Sequence, residues 1–434
     1  MTSLLITNAQ LPDGSTGSIA VRDGRIVESV DSPDTTIDAT GLVALPGLVD
    51  MHVHLREPGK EDAETVATGS ASAARGGFTA VNAMANTQPV ADTAGVVEQV
   101  WRLGREVGLT EVAPIGAVTV GQEGTQLAEL GAMAGSAAQV RIFSDDGMCV
   151  HDPLLMRRAL EYVKTFDGII AQHAQDPRLT EGAQMNEGTV SAKLGLPGWP
   201  AVAEESIIAR DILLAEHVGS RLHVCHLSTA GSVELVRWAK SRGVRVTAEV
   251  TPHHLMLTDE LVESFDPVYK VNPPLRTRRD VEAVREGLAD GTIDIVATDH
   301  APHPAEHKCC EWSAAAMGMV GMESALPIVV EAMRDYDFGW ADIARVMSAN
   351  PASIAGHTEH GSLEVGTGAN IILVDPNAPG VVEPATHATK GRNNPFRGLE
   401  INTRVVHTIL YGTHIVENGD IVRKHELREG SWIG

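Results

Sequence analysis

Cysteine is scarce in this 434-residue chain: Cys149, Cys225, Cys309 and Cys310 are the only four. They do not make a disulfide framework, and they suit a reducing cytoplasm. Aromatic residues are also few, at 4%. Positive charge is in deficit, with 34 Lys and Arg against 57 Asp and Glu and a formal net charge of −23. Such a field excludes nucleic acid and an anionic membrane surface as expected partners. It also means that a small anionic substrate needs local positive charge, so individual arginines and bound metals matter. No apolar run approaches the ~20 residues of a membrane-spanning helix. The first residues, Met1 to Thr7, lack a basic stretch and a long apolar core, so no signal peptide is expected.

What remains is 43% hydrophobic with 42 glycines, a composition that fits a globular α/β protein of one large domain and one smaller one. Residues 1–46 read as short strands, Leu4–Ala9, Ser18–Arg22, Arg25–Ser29 and Leu42–Ala44, with turns at Asp13-Gly14 and Asp23-Gly24. From residue 47 to about 300, apolar strand-like runs alternate with helical stretches. The runs are Gly47–His54, Phe78–Met84, Glu111–Val118, Val140–Asp145, Gly168–His173, Arg221–His226, Val244–Val250 and Ile293–Thr298. Between them, Glu61–Arg75 and Arg279–Leu288 carry helical periodicity. Strand–helix alternation predicts parallel strands, and eight such units have the size of a (β/α)8 barrel. An open doubly wound sheet is the alternative, but the first strand lacks a Gly-rich phosphate fingerprint. Residues 305–360 look largely helical. Residues 361–434 return to strands at Asn370–Val374, Val405–Tyr411 and Thr413–Val416. The expected architecture is a barrel over 47–360 and a β-sandwich satellite domain built from 1–46 plus 361–434.

Chemistry in such a barrel sits at the C-terminal strand ends. The first strand ends in His52, Val53 and His54, two imidazoles at i and i+2, which a strand projects to one side. Two neutral imidazoles aimed at one point suit a divalent metal. Arg56 continues the parity. The other ends carry Asn82 with Asn86, then Ser144-Asp145-Asp146-Gly147, Gln172-His173, Cys225-His226, Thr251-Pro252-His253-His254 and Asp299-His300-Ala301-Pro302-His303. Four His and two Asp at one barrel end make the ligand set of a two-metal hydrolase. His253 and His254 are adjacent, would face opposite ways in a strand, and are expected not to ligate. His151, His217 and His223 read as surface or packing residues. His300 should point away from the metals, and Cys309-Cys310 reads as packed or exposed thiols.

These motifs resemble the amidohydrolase superfamily and, within it, the type I bacterial dihydroorotases. The residues that carry the likeness are Asp50 to Gly59, Asn86-Thr87-Gln88-Pro89, Phe143 to Gly147, Cys225 to Thr229 and Ala297 to His303. The resemblance implies that His52, His54 and Asp299 hold one metal, that His173 and His226 hold a second, and that Asp146 bridges them, with zinc the expected ion. It implies that Arg56, Asn86 and His303 grip the substrate carboxylate, that Asn272 contacts the ring, and that Met317 and Gly318 line it through backbone atoms. It makes Asp299 the proton carrier in the reversible hydrolysis of dihydroorotate to carbamoyl aspartate. A homo-oligomer and a complex with aspartate transcarbamoylase are the implied assemblies. Hydantoinases and allantoinases bridge their metals with a carboxylated lysine on the fourth strand. This chain has no lysine between Lys60 and Lys164, so a carboxylate must take that place. A hydantoinase-like cyclic amidase and a non-catalytic scaffold for the transcarbamoylase are the competing functions. Inactive relatives typically lose ligands, and all six are present here.

Overall fold

The computed structural model describes residues 3–426. Its first five strands are β1 (Ser3–Gln10), β2 (Thr16–Arg22), β3 (Arg25–Val27), β4 (Thr35–Asp38) and β5 (Val43–Pro46). In β1, Leu4, Ile6 and Ala9 are buried while Ser3, Leu5 and Thr7 are not, the alternation of a strand with one face on a core. The β2–β3 hairpin turns at Asp23 (φ 51°) and Gly24 (φ 82°), the two positive φ values of a tight hairpin, which an Asp-Gly pair supplies at low cost. β4 was not legible as a strand: Thr35-Thr36-Ile37-Asp38 buries only Ile37, and its parallel pairing with β1 holds it.

The next five strands are β6 (Leu48–Val53), β7 (Phe78–Ala83), β8 (Glu111–Pro114), β9 (Ile142–Phe143) and β10 (Ile169–Gln172). A two-residue parallel pair follows, β11 (Met185–Asn186) with β12 (Gly198–Trp199). Then come β13 (Arg221–Val224), β14 (Val246–Val250) and β15 (Ile295–Val296). All eight sequence-predicted strands are present, each shorter than its apolar run. β6, β7 and β8 pair in parallel, as do β9, β10, β13, β14 and β15. Single parallel bridges join the two groups on both sides: Gly116 with Phe143, and Val53 with His300. Every residue of β6 and β7 is buried, the pattern of parallel strands covered on both faces.

One apolar cluster gathers residues of these strands and the segments after them, among them Met51, Met84, Ile115, Ile169, Ala171, Cys225, Ile295 and Ala297. Two positions beyond Ala171 comes His173, and two beyond Ala297 comes Asp299. Both lie just past the strand ends, β10 closing at Gln172 and β15 at Val296, and Asp299 carries a positive φ of 47°. The β6–β7 register shifts between Asp50 and Val53, and such an irregularity re-aims the side chains after it. Beneath it, the Asp50 carboxylate accepts from the Thr298 N–H at 3.1 Å, the Thr298 hydroxyl at 2.6 Å and the His52 N–H at 3.1 Å. This pins the two ligand-bearing segments together, and burial raises Asp50 to about 7.

The helix predicted over Glu61–Arg75 begins later, at Val66, where Thr65 and Thr68 form a capping box. The other predicted helix spans Arg278–Ala289, capped by Thr277 and Asp280. Residues 305–360 are helical only in part: Ala305–Lys308, Ala325–Ala332, and a run from Trp340 to Ala355. Between the first two, 309–321 is irregular; Lys270 Nζ donates to the carbonyls of Trp312 and Ser313, and Lys308 Nζ to those of Ala316 and Gly318.

The remaining strands are β16 (Ile371–Asp375), the short pair β17 (Gly380–Val381) and β18 (Glu400–Ile401), then β19 (Arg404–Leu410), β20 (Thr413–Glu417) and β21 (Asp420–Ile421). They complete one nine-stranded sheet, ordered β21-β20-β19-β16-β5-β1-β2-β3, with β4 on β1. Both ends of the described chain thus share a sheet. Glu111 ties it to the strand ring: its carboxylate accepts from His360 Nε2 at 2.7 Å and from the Tyr411 hydroxyl at 2.8 Å. No helix among the described residues is long and apolar enough to cross a membrane.

Candidate metal centre and active site

The six side chains singled out at the strand ends converge. His52 and His54 have ring centroids 5.4 Å apart. His52 Nε2 faces Asp146 Oδ1 and Asp299 Oδ1, each at 3.4 Å. His54 Nε2 lies 3.1 Å from Asp299 Oδ1 and 3.3 Å from Asp146 Oδ2. On the other side, Asp146 Oδ1 is 3.2 Å from both His173 Nδ1 and His226 Nε2, which are 2.8 Å from each other. All six residues are at most 4% exposed. Asp145 looks elsewhere: its carboxylate accepts from the N–H groups of Val118 and Thr119 and from the Thr119 hydroxyl. Asp146 is therefore the acid of that pair which meets the histidines.

Electrostatically the cluster calls for a cation. Three buried carboxylates, Asp146, Asp299 and Glu249, surround His52, and buried like charges without compensation are costly. Burial opposes a charge on His52, yet Asp146, Glu249 and Asp299 raise it well above the ordinary histidine range. Burial favours the acid form of Asp146 and Asp299, but His52 and the other imidazoles hold both below the usual carboxylate range. His52 Nε2 is buried with no hydrogen-bond partner. An orphaned imidazole nitrogen facing two carboxylates is the arrangement a divalent ion completes. Among the described residues three trios could hold an ion: His52 with Asp146 and His226, His52 with His54 and Asp299, and His52 with Cys225 and Glu249.

A second layer of side chains orients this cluster. His52 Nδ1 bonds Glu249 Oε1 at 2.5 Å, and the other Glu249 oxygen bonds His223 Nε2 at 3.0 Å. The His226 N–H also donates to Glu249 Oε1, at 3.0 Å. His54 Nδ1 bonds Asn86 Oδ1 at 2.9 Å, and His173 Nε2 bonds Gln175 Oε1 at 2.8 Å. The ring contacts of His52, His54 and His173 leave the opposite nitrogen of each turned to the cluster and set its tautomer, whereas His226 is held through its main-chain N–H. Glu249 and Gln175 were missed in the sequence. The available signal for Glu249 was an acid inside the apolar strand Val246–Val250.

Around the rim, Arg56 is 8% exposed and bent by a positive φ of 63°. Its Nε donates to the Pro302 carbonyl at 3.2 Å. Burial lowers it to about 10, so it stays charged. His303 Nε2 bonds the Met317 carbonyl at 2.8 Å, and burial with Arg56 and Lys308 nearby holds this imidazole down at about 3, hence neutral. Asn272 Nδ2 donates to Gln175 Oε1 at 3.1 Å, while its Oδ1 is buried without a partner. The Gly318 N–H is engaged with the Lys270 carbonyl at 3.0 Å, and the Gly318 carbonyl accepts from Asn393 Nδ2 at 3.0 Å.

One expectation is corrected. His253 and His254 do not lie in a strand: Thr251 caps a short helix, Pro252–Met256, with proline at its first turn. Both histidines are buried. His254 bonds Thr251 Oγ1 and the Pro273 carbonyl, whereas His253 Nε2 has no partner. His300 bonds Glu64 and the Gly321 N–H, away from the cluster as expected. His223 is buried behind it, and His151 and His217 are exposed.

Comparison with known proteins gives the family. Residues 41–232 match a family model described as dihydro-orotase-like. The chain is 64% identical to a dihydroorotase of Streptomyces coelicolor, covering 97% of this chain and 100% of that one. It is 54% identical to a dihydroorotase of Mycobacterium tuberculosis, over 94% of this chain and 97% of that one. Among solved structures it superposes on an L-hydantoinase (dihydropyrimidinase) from Arthrobacter aurescens with a TM-score of 0.88 at 25% identity, covering 98% of both chains. A dihydropyrimidinase from Brevibacillus agri shares the fold at a TM-score of 0.81 and 21% identity, over 97% of this chain and 96% of that one. An α/β fold with a large sheet shared by both ends, a convergent His/Asp cluster and full-length identity at this level lead to one placement: the chain belongs to the dihydroorotase family, metal-dependent cyclic amidohydrolases.

Proposed function

We propose that this protein is a dihydroorotase, which reversibly hydrolyses the cyclic amide of L-dihydroorotate to N-carbamoyl-L-aspartate in de novo pyrimidine synthesis. The observation that carries the reading is the meeting of His52, His54, Asp146, His173, His226 and Asp299 within hydrogen-bond range, with the Arg56 guanidinium beside them. His52, His54 and Asp299 would hold one divalent ion, His173 and His226 a second, and Asp146 would lie between. A divalent ion held there, zinc in the first instance, would supply Lewis-acid polarisation of the ring carbonyl and a water whose pKa is lowered towards neutrality from ~15.7.

The chain's own residues do the rest. Asp299 takes the proton of the attacking water as the C–O bond forms, and delivers it to the ring nitrogen as the C–N bond breaks. Arg56 offers its planar fork to the substrate carboxylate, with Asn86 and His303 alongside. Neutral His303 adds a neutral hydrogen-bonding group rather than a second charge. Asn272, with its unpaired Oδ1, faces the pyrimidine ring, and Met317 with Gly318 lines it. Glu249 and Gln175 hold the imidazoles in place.

In this reading the eight parallel strands form a closed (β/α)8 barrel over 47–360, and 1–46 with 361–434 form a sandwich-like β domain. The enzyme works in the cytoplasm as a homo-oligomer, and aspartate transcarbamoylase is a candidate partner. The likeness to an L-hydantoinase at a TM-score of 0.88 gives a second reading, a hydantoin-cleaving amidase. The absence of lysine between Lys60 and Lys164 and the Arg56 rim count against it. Turnover of dihydroorotate, hydantoin and dihydrouracil by one preparation of known metal content decides between them. Dihydroorotate is expected to win by orders of magnitude. Preference for hydantoin would overturn the proposal, and a metal-free protein without turnover would leave the scaffold role.

A further inference from the structure

Lys308 is 8% exposed and ends the short helix Ala305–Lys308. Its ammonium donates to three main-chain carbonyls: Ala316 at 2.8 Å, Gly318 at 3.0 Å and Lys270 at 3.1 Å. These three bonds use the full donor set of an ammonium. Among the described residues no carboxylate lies within ion-pair distance of it. Burial and the Lys270 ammonium pull it down to about 7. An ammonium kept in such a place is costly, and packing alone would be served by an apolar side chain.

The three carbonyls belong to two segments on the rim of the site. Gly318 follows Met317, whose carbonyl holds His303 Nε2 at 2.8 Å. Lys270 precedes Asn272, whose Oδ1 is buried and unpaired. Lys308 Nζ is thus shared between the segment that sets His303 and the segment that sets Asn272. A direct bond from the Gly318 N–H to the Lys270 carbonyl, at 3.0 Å, runs beside it. A side chain at Gly318 would collide with His303 and Ala301, so this main chain packs directly under the imidazole.

We propose that Lys308 is a positioning residue for substrate binding: by bonding the carbonyls of Lys270, Ala316 and Gly318 it holds His303 and Asn272 at the spacing the cyclic substrate requires. The inference rests on the dihydroorotase reading for the identity of that substrate. Lys308 touches no metal ligand directly: Asn272 reaches His173 only through Gln175.

The test is Lys308→Met, which keeps the length and apolar stem and removes the donors. KM for dihydroorotate is expected to rise about tenfold or more, with kcat within about threefold and the metal-to-protein ratio unchanged. A KM within about twofold of wild type in a folded, metal-loaded variant overturns the proposal. So does a fall in kcat and metal content with KM unchanged, because that would mark a merely structural role. If Lys308→Met does not accumulate as folded protein, Lys308→Arg carries the test: its broader fork does not match three carbonyls arranged for an ammonium, and a smaller rise in KM is expected. Wild-type KM there also overturns the proposal. Cleavage by Glu-C protease after the exposed Glu311, followed by mass spectrometry without substrate, gives a second readout. It should be faster in Lys308→Met than in wild type. If the wild-type protein does not turn over dihydroorotate, the functional reading fails by itself, and an unchanged cleavage rate then removes the tether.

Discussion

Replacing Glu249 tests whether the metal centre depends on an acid that ligates nothing in the proposed assignment. Glu249 Oε1 accepts from His52 Nδ1 at 2.5 Å and from the His226 N–H at 3.0 Å, and Oε2 meets His223 Nε2 at 3.0 Å. In Glu249→Gln the remaining oxygen can still serve His52 and His226, and the new amide can donate to His223 if that ring changes tautomer. Thr247 Oγ1, 2.8 Å from His223 Nδ1, can accept the displaced proton. What is lost at His52 is the charge on its acceptor. The difference between a charge-assisted and a neutral hydrogen bond is about 1–1.5 kcal/mol, or roughly tenfold in metal affinity. Glu249→Leu removes every acceptor and lets the His52 ring turn, which moves the loss towards about 100-fold. Competition against a chromophoric chelator gives the affinities, and kcat/KM at limiting and saturating metal should separate binding from chemistry. The expected order is wild type, Gln, then Leu, with much of the activity restored by excess metal. Equal affinities in all three would refute the claim that Glu249 sets the His52 imidazole.

Asp299→Asn should keep its metal, since an amide oxygen still ligates, while turnover falls by roughly 10²–10⁴-fold; near-normal turnover measured beside elemental analysis removes Asp299 from the proton transfer. Arg56→Met should raise KM for dihydroorotate at least about tenfold with kcat little changed, and an unchanged KM argues against the carboxylate grip. Burial favours the acid form of Glu111, but the His360 and His357 imidazoles hold it at about 2. Its contribution is therefore fully present above the unfolded value of about 4.3 and is lost as pH falls from there towards 2, on the order of 3 kcal/mol at most. Denaturation midpoints of wild type and Glu111→Gln should differ at pH 7, draw together below about pH 4.3 and meet only at about pH 2; a gap independent of pH would contradict this.

The sequence made the strand order and the polar strand ends legible because buried parallel strands are near-continuous apolar runs, and a histidine or aspartate ending such a run stands out. The meeting of His52 with Asp146, His173 and His226 was anticipated from that pattern. The choice of Asp146 over Asp145 rested on resemblance. The structure adds a physical reason: the Val118 and Thr119 amides occupy Asp145. Glu249 was hidden because a single acid in Val246–Val250 looks like a lapse in an apolar run, and only tertiary contact shows what it faces. His253 and His254 were placed in a strand because strand alternation was extended past Val250, where Thr251 and Pro252 start a helix. The irregular stretch 309–321 escaped notice for a related reason: the Lys270 and Lys308 ammonium groups bond its carbonyls, an arrangement that local periodicity does not encode.

A sheet assembled from both ends of the described chain also sets a timetable for biosynthesis. Leu45 on β5 pairs with Ile372 on β16, so this partner leaves the ribosome only after roughly 330 further residues, about 16–65 s of translation at typical bacterial speeds. Throughout that interval β5 presents an open edge, and exposed edges invite pairing with other chains. A nascent polypeptide of this kind depends on shielding by chaperones or on rapid collapse of the adjoining strands. Premature termination before β16 would leave an aggregation-prone fragment rather than a smaller working enzyme.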